Sequence, residues 1–142
     1  MHNLFDLLAY TPDLTRVYFA KTISPGFREM IMLTVASTND CHLWTNAHSR
    51  FGRIAGLTDK EINNIGHLKR ENIDEKVWIA LIWVRNYLLF EGNLPDKSVE
   101  DNFYKTYSLN EQKAIFATLK LMLFFNMLAN LFDKKGSRLL KI

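Results

Sequence analysis

Apolar residues recur along this chain at helical spacing. Nowhere do they alternate with polar ones at a strand's period of two, and no Asn-Gly or Asp-Gly hairpin signal occurs. The pattern predicts an all-α fold of about six helices. A short cluster (Leu4, Phe5, Leu7, Leu8) precedes a break at Thr11-Pro12. Leu14, Val17, Tyr18 and Lys21 then predict a helix over 13–22 with Thr11 as its cap. Pro25 has no N–H to give to a helix interior, so the next helix starts at or after it. That helix occupies 27–37 and stops at Thr38-Asn39-Asp40. A second starts at Cys41, with Asn39 or Asp40 placed to accept from its free N–H groups, and runs to about Ile54, where Ala55-Gly56 closes it.

Further on, Thr58-x-x-Glu61 reads as a capping box opening a short helix that ends near 67–70. Asp74-Glu75 puts negative charge at the start of a helix over 76–90. Residues 77–84 are apolar nearly all round, which predicts burial on more than one face, by the core or by another subunit. A weaker helix over 98–107 carries Val99, Phe103 and Tyr107 on one side. Ser108-x-x-Glu111, a second capping box, opens a long helix reaching Leu131 or Phe132.

A chain of 142 residues with 48% hydrophobic content suits one core, and a single domain over 1–142 is expected. Net charge is only +3, and no basic block is interleaved with stacking aromatics, so neither nucleic acid nor membrane is expected as a partner. The longest apolar run, 119–132, falls short of the ~20 residues that span a bilayer. One cysteine permits no internal disulfide, and the start of the chain has no secretory-signal pattern. Both point to a cytoplasmic protein. Neither a phosphate-binding Gly loop nor a set of three or four metal ligands is visible, so no cofactor and no metal are expected.

The residues with chemistry to offer lie on the central helix pair: Glu29 on the first helix, Cys41 and His48 on the second. Their spacing is Glu-x11-Cys-x2-Trp-x3-His, followed by Ala55-Gly56-Leu57 and Thr58-x-x-Glu61, with a late Phe125-Asn126. This resembles the alkylhydroperoxidase AhpD-like and carboxymuconolactone decarboxylase family, which carries Glu-x11-Cys-x2-Cys-x3-His on such a pair. Here Trp44 stands where that pattern has its second cysteine. The resemblance implies an AhpD-like helical bundle built around an antiparallel helix pair and a homo-oligomer, trimer or hexamer, with pockets near subunit boundaries. It also implies a small-molecule substrate, either a peroxide reduced with an external thiol or a small organic acid.

Cys41 and His48 are seven residues apart, two turns or ~10 Å along the axis, so no direct Cys41–His48 hydrogen bond is expected and a disulfide relay is lost. Three functions remain. The first is an antioxidant protein of the peroxiredoxin type with single-thiol peroxide reduction at Cys41. The second is a cofactor-free decarboxylase-like lyase or isomerase using Glu29 and His48. The third is a non-catalytic oligomeric binding module. Glu29 is expected to face His48 and orient it as general acid or base, and Trp44 to wall the substrate pocket. As plain structure, Glu29–His48 is a buried hydrogen bond fixing two helices, and Cys41 a small buried hydrophobe. His42 and His67 are given no role, His67 being read as a surface residue.

Overall fold

The computed structural model of the chain describes residues 21–139, with side chains described through residue 129. Six helices and no strand occur among the described residues: α1 (Pro25–Thr38), α2 (His42–Ile54), α3 (Asp59–Gly66), α4 (Glu75–Leu89), α5 (Lys97–Thr106) and α6 (Leu109–Leu139). The cluster at 4–8 and most of the helix expected over 13–22 lie outside the described residues. Lys21 and Thr22 are not helical, and Lys21 takes a positive φ of 50°.

Helix α1 is the centre of the bundle, packed against α2, α3, α4 and α6. Every residue from Glu29 to Ala36 is buried, so this helix has no polar face. Pro25 occupies its first turn, where a missing N–H costs nothing, and the Ser24 hydroxyl accepts from Phe27 N at 3.1 Å.

The end of α1 departs from expectation. Asp40 sits in the left-handed region (φ 51°), its N–H donating to Ser37 O at 3.2 Å, while Cys41 N donates to Ala36 O at 2.9 Å. This pair of bonds is a Schellman closure of α1. Asp40 therefore ends the first helix instead of capping the second. A residue held left-handed cannot also adopt the extended backbone of an N-cap. The N-cap of α2 is Cys41, which makes no side-chain cap bond.

Helix α2 ends in the same way. Gly56 takes φ 95°, Gly56 N donates to Arg53 O at 3.0 Å, and Leu57 N donates to Gly52 O at 2.9 Å. Leu57 then folds back onto Gly52, where a Cβ would lie 3.1 Å from the leucine Cδ1. The capping box follows at once, with Thr58 Oγ1 accepting from Glu61 N (3.2 Å) and Glu61 Oε2 from Thr58 N (2.8 Å).

Asp74 caps α4 by accepting from Val77 N at 3.2 Å. Between α1 and α5, α4 buries Ala80, Leu81, Trp83 and Val84 and half-buries Trp78, Ile79 and Ile82, so most of its all-round apolar surface is covered within the chain. Ser108 and Glu111 form the second box at the start of α6. This helix runs on to Leu139, past the expected stop at 131–132. A single Gly136 is tolerated in a helix, and Lys134, Lys135 and Arg138 suit a helix C-terminus. By length and composition the segment Leu109–Ala129 is apolar enough to cross a bilayer, more so than its longest run suggests. Its stripe of Ile115, Leu119 and Met122 is fully buried, and α6 packs against α1. A place in the core accounts for that stripe.

Candidate active site

The short Schellman turn brings α2 back along α1, and the pairing expected from the spacing is present. His48 Nδ1 and Glu29 Oε2 lie 2.7 Å apart, with the two residues only 6% and 7% exposed. Arg28 Nε is 3.8 Å from the other carboxylate oxygen. A carboxylate only accepts, so the proton of this bond belongs to Nδ1. On a neutral ring the lone pair then resides on Nε2.

The remaining polar side chains of the interior separate into two groups. Thr34 and Thr118 return their hydroxyls to carbonyls one turn back, each at 2.8 Å, and the Asn64 amide donates to Glu71 O. His48 Nε2 and both amide atoms of Asn126 are buried with no partner. Buried polar atoms are nearly always paired, so such exceptions call for an explanation in ordered water, strain or a functional role.

Trp44, one turn before His48, lies 5.8 Å from the imidazole between ring centroids and 5.2 Å from Phe125. Its indole N–H donates to Phe125 O at 3.0 Å, tying the start of α2 to the middle of α6. Phe51, one turn after His48, presents its ring edge-on at 5.7 Å. The histidine is thus held between two aromatic rings and fixed by Glu29.

Cys41 is half-buried, in no disulfide and makes no side-chain cap bond, and no Cys41–His48 hydrogen bond occurs. His42 points outward and lies 3.7 Å from Asp40; its side chain is 89% exposed. With His67, which is exposed, it borders a polar groove of about 500 Å3 between α2 and α3 that also holds the Arg53–Asp59 ion pair (2.6 Å). Among the described residues no three His, Cys, Asp or Glu side chains gather as a metal site would need.

Residues 7–68, which include α1, α2, α3 and all four motif positions, match the model of the carboxymuconolactone decarboxylase family. This segment of the chain is similar to that family. No curated protein and no solved structure matches the chain. The match supports an AhpD-like or carboxymuconolactone decarboxylase-like function at the level of the family. Within that frame the structure joins Glu29, His48 and Trp44 in one place and leaves Cys41 two turns away along α2. One contributor escaped the sequence reading: Phe51, signalled by its i+3 spacing from His48, the same helix side. Asn126, beside Phe125 in the family-like pattern, carries no role in the sequence reading and is buried with its amide unpartnered.

Proposed function

We propose that the chain is a cofactor-free lyase or isomerase acting on a small organic acid, with His48 as the proton-transfer group and Glu29 as the residue that orients it. The observation that carries this reading is the buried, unpartnered Nε2 of an imidazole whose Nδ1 is held by Glu29. In an isomerisation, Nε2 takes a proton from the carbon next to a carbonyl. The C–H electron pair enters the carbonyl as an enolate, and the proton returns at another carbon. In a decarboxylation, Nε2 first takes a proton from solvent; the bond to the carboxylate breaks, its electrons enter the same conjugated system, carbon dioxide leaves, and the imidazolium returns that proton to the carbon, becoming neutral again.

A second reading rests on Cys41, a free thiol that makes no side-chain cap bond at the positive end of α2. Its thiolate would attack a peroxide oxygen, expelling alcohol or water and leaving a sulfenic acid. An external thiol would then reduce this acid through a mixed disulfide. Nothing in the geometry connects His48 to that sulfur, which is why the histidine reading is preferred.

Parallel assays on a panel of small keto and lactone acids and on alkyl peroxides with dithiothreitol decide between them. The first reading expects His48→Gln and Glu29→Gln to lose ~100-fold or more of organic-acid turnover, with Cys41→Ser unchanged. Thiol-dependent peroxide consumption abolished by Cys41→Ser and indifferent to His48→Gln would establish the second.

We also propose a homo-oligomer, trimer or hexamer. The support is an apolar stripe on α2, the helix of His48, where Leu43, Phe51 and Ile54 are 65%, 50% and 83% exposed. Light scattering at micromolar concentration giving a species of 16.6 kDa would refute this.

A further inference from the structure

The nitrogen on which the proposed reaction turns is sealed. His48 is buried, and its Nε2 meets neither solvent nor a hydrogen-bond partner. A substrate reaches it only if one of the groups around the imidazole moves aside.

Those neighbours differ in how firmly they are held. Glu29 is bonded to Nδ1 at 2.7 Å and has Arg28 Nε 3.8 Å from its other oxygen. Trp44 is anchored at its far end, where the indole N–H donates to Phe125 O at 3.0 Å and the ring packs 5.2 Å from that of Phe125. Phe51 has neither kind of restraint. Its side chain forms no hydrogen bond and is 50% exposed. The only ring it meets among the described residues is the imidazole, edge-on at 5.7 Å.

Its place on the helix says which way it moves. At 3.6 residues per turn, Phe51 falls between His48 and the outward face that carries Leu43 and Ile54. Both of these are well exposed, so the side of α2 next to Phe51 is open to solvent. A helical phenylalanine has two open χ1 wells, and exposed side chains exchange between such wells in picoseconds to nanoseconds. Turning outward trades contact with one imidazole for water that the ring already meets on half its surface.

We propose, on the reading of His48 as the proton-transfer group, that Phe51 is the gate of the site. With the ring against the imidazole the site is closed. With the ring swung toward Ile54, a path to His48 opens from the outer face of α2, and Trp44 stays in place as the fixed wall.

The test is labelling of the full chain with diethyl pyrocarbonate at neutral pH, followed by peptide mass spectrometry. The reagent adds an ethoxycarbonyl group to an accessible imidazole nitrogen, and the exposed His42 and His67 serve as internal standards. His48 should react ~10-fold faster in Phe51→Ala, where the open form no longer has to compete with a closed one. It should react more slowly than the parent in Phe51→Trp, which has a larger ring to move. Trp44→Phe, which drops the hydrogen bond and keeps a ring, should leave the rate as it is. Ile54→Ser weakens the same apolar stripe with both rings in place, and should also leave it as it is. Acceleration in Trp44→Phe or Ile54→Ser without acceleration in Phe51→Ala overturns the proposal. Acceleration in both Phe51 variants does so too, since that is general loosening of the fold.

Turnover is measured separately. Labelling governed by Phe51 in a chain that turns over no organic acid supports the gate and removes the reaction assigned to it. Labelling indifferent to Phe51, with turnover lost in His48→Gln, overturns the gate and leaves that reaction standing.

Discussion

Toward α2, helix α1 buries a carboxylate against an imidazole; at its start it lays Phe27 against Tyr107, the edge of an aromatic cluster that continues through Phe103, Trp83, Tyr87 and Phe116. Both regions are largely buried, but their energetics differ. Stacked rings add ~0.5–1.5 kcal/mol per pair to what burial already contributes. A buried carboxylate–imidazole hydrogen bond loses in desolvation of its two polar groups much of what it gains. The aromatic side therefore holds the fold together, whereas the polar side adds little net stability and leaves an imidazole nitrogen without a partner. A feature that costs about as much as it stabilises invites an explanation in chemistry.

The largest effect should come from the aromatic side. Phe103→Ala removes a ring that is 1% exposed and stacked on Trp83, and should cost about 3–5 kcal/mol in urea unfolding. On the polar side, Glu29→Ala alone should cost nearly as much, about 3 kcal/mol, because it leaves a buried imidazole unpaired. The double replacement Glu29→Met/His48→Leu should bring stability back to within ~1 kcal/mol of the parent while abolishing turnover. If that double variant is as unstable as Phe103→Ala, the pair is a structural strut and the contrast between the two regions fails.

A smaller effect is expected at the turn that places α3 beside the site. Gly56→Ala meets no atom within 4 Å but must adopt φ 95°, so it should lose about 1–2 kcal/mol, measured as a lowered midpoint with unchanged slope. An unchanged midpoint would mean that the turn relaxes to another conformation.

The smallest effect concerns Glu111, on the aromatic side but at the surface. The hydrogen bond from Lys76 holds its carboxyl below the usual glutamate value of 4.5, burial opposing this in part and Ser108 adding to it. Because the folded-state value is depressed, the contribution is present above pH 4.5 and is lost as pH falls through the lower folded value. Glu111→Gln preserves the capping box, so at neutral pH it should cost under about 1 kcal/mol, a difference that shrinks toward zero in the most acidic unfolding series. A difference independent of pH would assign the effect to capping instead.

What the sequence determined by itself is local in origin. The two capping boxes, the Asp74 cap and the Gly56 closure each depend on groups within five residues, and each is where its pattern put it. The Glu29–His48 contact was legible for a related reason: a short turn between two helices leaves few ways to bring them together, so spacing alone fixes which faces meet. Asp40 went astray because adjacent helix ends compete for one residue, and closing α1 left-handed excluded capping α2. The Trp44–Phe125 bond joins residues 81 apart, a separation at which only the packed bundle selects partners. The unpaired states of His48 Nε2, Asn126 and Trp83 Nε1 were decided at the same level. Whether a buried polar atom finds a partner depends on every element around it, and no spacing within one helix encodes that.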